Sequence, residues 1–216
     1  MAEATTMAPG ISRREFLYYI WGASIVLVTG ELGYLLYLFL LPRFREGEFG
    51  GIFKKNISVL PEVNARPTPD SEGRFWLVNL DSDQSNRRMF QNTDEGPIKG
   101  VAAIYKVCTH LGCIYDWNAA NDRFECPCHG SKYRLDGRRY QNPAPRSLDR
   151  FKIQAVDANG NVLAESALGE NGDYLPLLLP DGTAELWIDT GARKQGAPEG
   201  VLGVEPAARP ATEGAG

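Results

Sequence analysis

Hydrophobic positions along this chain fall into two regimes. From Tyr18 to Leu41 they run almost unbroken; from Phe53 onward they come in short bursts between turn-forming residues. The first run reads as a helix. At 1.5 Å per residue it spans about 36 Å, enough to cross a hydrocarbon core of ~30 Å with some tilt. Tyr18, Tyr19 and Trp21 stand at one end, where an aromatic belt meets the membrane surface. A cleaved signal peptide has a shorter apolar region and a small-residue cleavage site, so residues 18–41 read as a retained single-pass anchor in contact with membrane lipid. Glu31 lies near its middle, at a cost of about 2.5–3.5 kcal/mol on insertion scales for the comparable Asp. It reads equally as an acid facing a partner helix or water and as a tolerated, protonated carboxyl. Gly22, Gly30 and Gly33 would allow close helix packing on this side.

The second regime is β. Arg74–Leu80 and Val101–Val107 are rich in aromatic and aliphatic residues, and Phe151, Ile153 and Ala155 alternate with polar neighbours. Asn159-Gly160 is a hairpin turn signal before Val162–Ala164. Asp136-Gly137 and Asp181-Gly182 mark further turns, the latter between strands expected at Leu177–Leu179 and Ala184–Ile188. No long amphipathic helix breaks the pattern. The chain is therefore divided into an N-terminal segment 1–17, the anchor 18–41, a flexible hinge 42–52, a mainly β head 53–190 and a disordered Ala/Gly/Pro/Glu-rich tail 191–216. Gly50-Gly51 gives the hinge its expected pivot.

Composition adds little until the metal-binding residue types are placed. Net charge is −4 over 216 residues, which points away from nucleic acid. All four cysteines and both histidines fall between positions 108 and 129. They form two segments, Cys108-Thr-His110-Leu-Gly-Cys113 and Cys126-Pro-Cys128-His129-Gly-Ser131. A tetrahedral zinc site would take four of the six groups and leave two thiols unexplained. A 2Fe–2S cluster with Cys on one iron and His on the other takes one Cys and one His per segment. The remaining cysteines, one per segment, are then placed to tie the segments together as a disulfide.

These two segments resemble the cluster-binding loops of Rieske proteins from quinol-oxidising cytochrome bc-type complexes, including the b/f complexes of oxygenic photosynthesis. The resemblance is close over residues 99–149 and looser over the anchor–hinge–head layout. It implies a Rieske-type antiparallel β-sandwich head and one 2Fe–2S cluster, with Cys108 and Cys126 on one iron and His110 and His129 on the other. It also implies a Cys113–Cys128 disulfide, a Ser131 hydroxyl donated to a bridging sulfide and a Tyr133 phenol donated to the Cys108 sulfur. Leu111 and Gly130 are counted beside them. Asn142-Pro143-Ala144-Pro145 resembles the family's proline loop, although many relatives have Gly where this chain has Asn142. The implied activity is electron transfer, as a subunit of a quinol:cytochrome c or plastocyanin oxidoreductase. The implied partners are quinol, a cytochrome b subunit and a c1- or f-like cytochrome or another soluble acceptor, in a dimeric complex. His129 is then both ligand and acceptor of the quinol's hydrogen bond and proton.

The ligand set has physical consequences. Two thiolates and two neutral imidazoles leave an oxidised cluster uncharged, where four thiolates would make it −2; the histidines therefore raise the potential, and hydrogen bonds to sulfur raise it further. The upper half of the Rieske range, roughly −150 to +300 mV, is expected. A stable disulfide needs an oxidising compartment, which places the head on the periplasmic or lumenal side. Clusters are inserted inside the cell, so the head must cross folded; Arg13-Arg14 before Phe16-Leu17 resembles the twin-arginine signal for that route. The nearest rival is the Rieske small subunit of another exported oxidoreductase, such as arsenite oxidase. Soluble Rieske ferredoxins typically lack the two extra cysteines, and a structural zinc module would hold no sulfide. Lys132–Arg139 (KYRLDGRR) reads as a solvated hairpin rather than a docking patch.

Overall fold

The computed structural model describes residues 10–41, 49–84 and 98–198 and divides into two units, residues 1–43 and 44–216. Residues 1–9, the 42–48 part of the expected hinge and the 199–216 part of the expected tail lie outside the described residues.

The first unit is one helix, α1 (Arg13–Leu40). Ser12 caps it: its Oγ accepts from the Glu15 N–H, and its own N–H donates to the Glu15 carboxylate at 3.0 Å. This reciprocal box satisfies N-terminal donors and starts the helix at Arg13, five residues before the expected anchor boundary, so Arg13-Arg14 form its first turn. Leu41, which precedes Pro42, has left the helical region at φ −89° and ψ 106°, as a residue before proline tends to do. None of the α1 side chains is buried within the chain. Its polar hydroxyls turn inward on the backbone, Ser24 donating to Ile20 O at 2.8 Å and Thr29 to Ile25 O at 2.7 Å. A helix largely apolar all round, with its Ser24 and Thr29 hydroxyls satisfied internally, suits lipid as its solvent. It is long and apolar enough to cross a membrane.

The second unit contains eleven described strands: β1 (Ile52–Asn56), β2 (Thr68–Asp70), β3 (Phe75–Asp81), β4 (Lys99–Tyr105), β5 (Asp116–Asn118), β6 (Arg123–Glu125), β7 (Lys132–Tyr133), β8 (Arg139–Gln141), β9 (Arg150–Val156), β10 (Val162–Glu165) and β11 (Glu185–Lys194). Seven make one antiparallel sheet in the order β1-β11-β9-β4-β3-β2, with β10 on β9; the order of the other four is β5-β6-β7-β8. The period of two sorts β3 and β4 between two cores. Trp76, Val78, Leu80, Ala102 and Ile104 face Tyr115, Phe124, Tyr133 and Leu148 of the small sheet and its loops. Phe75, Leu77, Val101, Ala103 and Tyr105 face Phe53, Phe151, Ile153 and Leu186 on the other side. Burial on both faces is why these strands read as continuous apolar runs.

The Asn159-Gly160 hairpin joins β9 to β10 as expected, with Gly160 at φ 87°. Five expectations need correction. Leu177–Leu179 is not a strand; only Leu177 bridges, to Val101. The strand expected to end at Ile188 continues to Lys194 through a bulge between Asp189 and Arg193, because Asp189 Oδ1 accepts the Gly191 and Ala192 N–H groups across it. Residues 195–198 follow in described conformation with Gly196 and Ala197 buried, so the head extends past the expected boundary at 190. Gly50-Gly51 is fastened to the head: Gly50 N–H donates to Thr190 Oγ1 at 2.7 Å, and Thr190 donates to Gly51 O through both Oγ1 and N–H. Phe49 stacks on Tyr105 beside them.

The last correction concerns residues 132–139. Arg134, Leu135, Asp136 and Arg139 are buried, not solvated. Arg134 forms a two-pronged pair with Asp136, at 2.6 and 3.1 Å, and Arg150 donates to Asp136 O at 2.7 Å. Burial opposes charge on Asp136, but Arg134, Arg150 and Arg138 outweigh it and hold the carboxyl at about 2.

Candidate metal centre

The two cysteine–histidine segments join strands of the small sheet and its neighbours, and they fold alike. Cys108 N–H donates to Cys113 O at 2.8 Å, and Gly112 N–H to Cys108 O at 3.1 Å. In the second loop Cys126 N–H donates to Ser131 O at 2.9 Å, and Gly130 N–H to Cys126 O at 2.9 Å. Each loop thus closes from its first Cys to the residue five positions on. Each needs a left-handed residue four positions on, supplied by Gly112 (φ 81°) and Gly130 (φ 80°). The shared pattern, Cys-x-x-x-Gly-x, is visible in the sequence; the likeness of the folds becomes visible only in the backbone.

Cys113 and Cys128 are joined by a disulfide with their Cα atoms 6.6 Å apart, tying the loop tips together. Cys108 and Cys126 remain as buried thiols. Burial first, and then the neighbouring Cys108 sulfur, push the Cys126 thiol above its ordinary value, against backbone N–H donation from Cys128 and His129. A bound metal would displace that proton. The imidazoles of His110 and His129 meet edge to face with centroids 4.7 Å apart. His129 is exposed, whereas the Nδ1 of His110 is buried without a hydrogen-bond partner. The sulfurs of Cys113, Cys126 and Cys128 also lie within 4.8 Å of one another, but two of them are spent in the disulfide.

Around these four groups the polar contacts converge. Tyr133 is buried, with its hydroxyl 3.2 Å from Cys108 Sγ and 3.2 Å from Thr109 Oγ1. Burial and the Cys108 sulfur push its phenol well up, which keeps the proton available for donation. Ser131, also buried, accepts the Ala144 N–H at 3.0 Å. That contact brings the Pro143-Ala144-Pro145 segment against the second loop, with Ala144 buried and both prolines exposed. Arg139 donates to Ala144 O at 2.6 Å and also holds the Asn142 side-chain carbonyl, so Asn142 serves to fix the start of this segment. Leu111 is 71% exposed at the tip of the first loop.

Sequence reasoning missed Thr109, Tyr115 and Arg139. Thr109 donates to Arg146 O at 2.7 Å, and Tyr115, fully buried, donates to Tyr105 O at 2.7 Å. Only the position of Thr109 between Cys108 and His110 offered a signal for any of them.

The donor set fits a 2Fe–2S group: two buried thiols, two adjacent imidazoles, and a buried ring nitrogen that would otherwise lack a partner. Comparison with known proteins agrees. Residues 82–152 match the model of the Rieske 2Fe-2S domain. The cytochrome b6-f complex iron-sulfur subunit 1 of Synechocystis sp. is 30% identical over 69% of this chain and 83% of its own length. The cytochrome b6-f complex iron-sulfur subunit of Gloeobacter violaceus is 32% identical over 73% of this chain and 85% of its own. Among solved structures, the cyanobacterial plasma membrane Rieske protein PetC3 from Synechocystis PCC 6803 is 28% identical, with a TM-score of 0.29, over 45% of this chain and 84% of that one.

Proposed function

This chain belongs to the Rieske iron–sulfur proteins of cytochrome bc/bf-type complexes, single-pass membrane proteins carrying a 2Fe–2S cluster, and on that premise we propose that it takes one electron from quinol and passes it to a c-type cytochrome or plastocyanin-like acceptor. Cys108 and Cys126 would hold one iron, and His110, through its buried Nδ1, would hold the other together with His129. The observation that carries this assignment is the unpartnered, buried Nδ1 of His110, whose ring lies 4.7 Å from that of the exposed His129, in two loops that each open on a buried thiol.

The cluster, when bound, supplies a one-electron acceptor whose potential rises with His ligation. The protein's own groups do the rest. The exposed imidazole of His129 accepts the quinol hydroxyl's hydrogen bond at its metal-free nitrogen and takes the proton there. Leu111, exposed beside it, offers an apolar contact for the cytochrome b surface. Tyr133 donates to the Cys108 sulfur, and Ser131, whose oxygen already accepts from Ala144, directs its proton into the site. The Cys113–Cys128 bond supports a head on the periplasmic or lumenal side, reached by the twin-arginine route.

The test is made on the full chain purified with its complex. Two irons, two acid-labile sulfides and a midpoint potential that falls with rising pH are expected, together with a b-type haem subunit that co-purifies. Zinc in place of iron, or a potential independent of pH between 6 and 10, would refute the assignment.

A further inference from the structure

Four described residues, Gln195–Pro198, follow β11. They run beside the proline loop. Gly196 N–H donates to Asp149 Oδ1 at 3.1 Å, and Ala197 O accepts the Ser147 N–H at 3.0 Å. Gly196 and Ala197 are both buried. A Cβ at Gly196 would stand 2.3 Å from Leu148 O and 2.4 Å from Ser147 O, so this close approach excludes every residue but glycine unless the backbone moves. Asp149, which receives the Gly196 N–H, also pairs with Arg146 inside the same turn, and Arg193 approaches it to 3.8 Å.

One peptide group shows what these contacts do. The Arg146–Ser147 peptide is held at both ends: its carbonyl accepts from Thr109 Oγ1 at 2.7 Å, and its N–H donates to Ala197 O. Thr109 belongs to the first cysteine–histidine loop, and Ala197 to the C-terminal segment. Two residues earlier, Ala144 N–H donates to Ser131 Oγ. Donation into the Ser131 oxygen directs that hydroxyl's proton away from Ala144 and makes it a better donor. The stretch that starts in the proline loop therefore touches the site at Ala144, through Ser131, and at Arg146, through Thr109, while its continuation, Ser147–Asp149, rests on Gly196 and Ala197.

We propose that Gln195–Pro198 is a strap that positions the proline loop, and through it the Ser131 hydroxyl, so that a segment remote in sequence sets part of the cluster's potential. Gly196 and Asp149 are positioning residues; neither touches the ligands. This inference rests on the assignment of Ser131 as a donor to the cluster. A displaced strap lets the loop retreat, leaves the Ser131 hydroxyl free to rotate, and lowers the potential.

The experiment uses the full chain with its cluster, titrated by EPR. Gly196→Ala and Gly196→Val should lower the midpoint potential, Val more than Ala, with iron content retained. Ser131→Ala tests the underlying assignment, since an unchanged potential there removes the premise rather than the strap. Gly100→Ala is the control: a Cβ there would meet Leu177 O at 2.4 Å, at the opposite end of β4 from Cys108. It should destabilise the head and leave the potential unmoved. Wild-type potential in both Gly196 variants while Ser131→Ala shifts, or an equal shift in Gly100→Ala, would overturn the proposal. Should the Gly196 variants fail to fold, hydrogen exchange on the wild-type protein decides. A Ser147 amide as protected as those of β9 supports the strap, and a freely exchanging one overturns it.

Discussion

Strands β3, β4 and β9 each run seven residues and bury side chains in a core on one or both faces, whereas β5 to β8 have two or three residues apiece. The large sheet draws on ladder hydrogen bonds and apolar area, terms spread over many residues. The small sheet has short ladders, and it shares its apolar area, Tyr115, Trp117, Phe124 and Tyr133 among it, with β3 and β4. It is held by a disulfide, a buried Arg134–Asp136 pair, the reach of Arg139 to the proline loop, and the tie from Thr109 to Arg146 O. A distributed core tolerates a single loss, while a lobe built from discrete ties transmits it to the metal centre. Rigidity around the ligands is therefore obtained from a few strong, directional contacts, each of which can be removed singly.

The largest break is at the ligands themselves. Cys108→Ser or Cys126→Ser should abolish the 2Fe–2S EPR signal and the bound iron, while the large sheet retains its β circular dichroism. Next in size is Asp136→Ala, which takes the paired carboxylate from the buried Arg134 guanidinium; a cost of about 3–5 kcal/mol is expected in chemical denaturation. Leu77→Ala in the large sheet should cost a similar ~2–5 kcal/mol by the same measurement yet leave the midpoint potential where it was. That pairing isolates the difference between the two regions, and a potential that moved in Leu77→Ala would erase it. Asp136 also gives the small lobe an acid limit. Its folded-state value of about 2 lies below the ordinary 3.8, so its stabilisation is complete above about pH 4 and is lost as pH falls toward 2. Asp136→Asn should flatten that part of the stability-against-pH curve.

Smaller effects sharpen the contrast further. Tyr133→Phe removes one donor to the Cys108 sulfur and should lower the potential by an amount on the order of tens of millivolts, the size of one hydrogen bond, with little change in melting temperature. Thr190→Val removes the side-chain contacts to Gly50 and Gly51. It should cost about 0.5–1.5 kcal/mol at most and leave the potential unchanged, with faster amide exchange at Gly50 as its signature.

Several elements could be read before any fold was known. The α1 helix, the two-faced strands β3 and β4, and the Asn159-Gly160 hairpin were legible because their signals are local: a long continuous apolar run, short aromatic and aliphatic runs between turns, a glycine at a turn. The four cysteine and histidine ligands of the proposed centre were legible for the same reason, since covalent spacing keeps one Cys and one His within each loop. The misreadings share the opposite cause. Gly191-Ala-Arg-Lys194 looks like a tail in isolation and becomes strand only because β9 offers its edge across a bulge. Lys132–Arg139 looks solvated because its charges are visible in the sequence, while the partners that allow burial, Arg150 among them, lie further along.

By itself, then, the sequence determined where thiols and imidazoles cluster, where the chain can cross a membrane, and where the backbone must turn. Tertiary structure alone decided what presses on those residues: Gly50 against Thr190 across 140 positions, Gly196 against Asp149 across 47, and Thr109 against Arg146 across 37. Such contacts leave no periodicity or spacing in the chain, because each depends on two backbones that meet only when the sheets have formed.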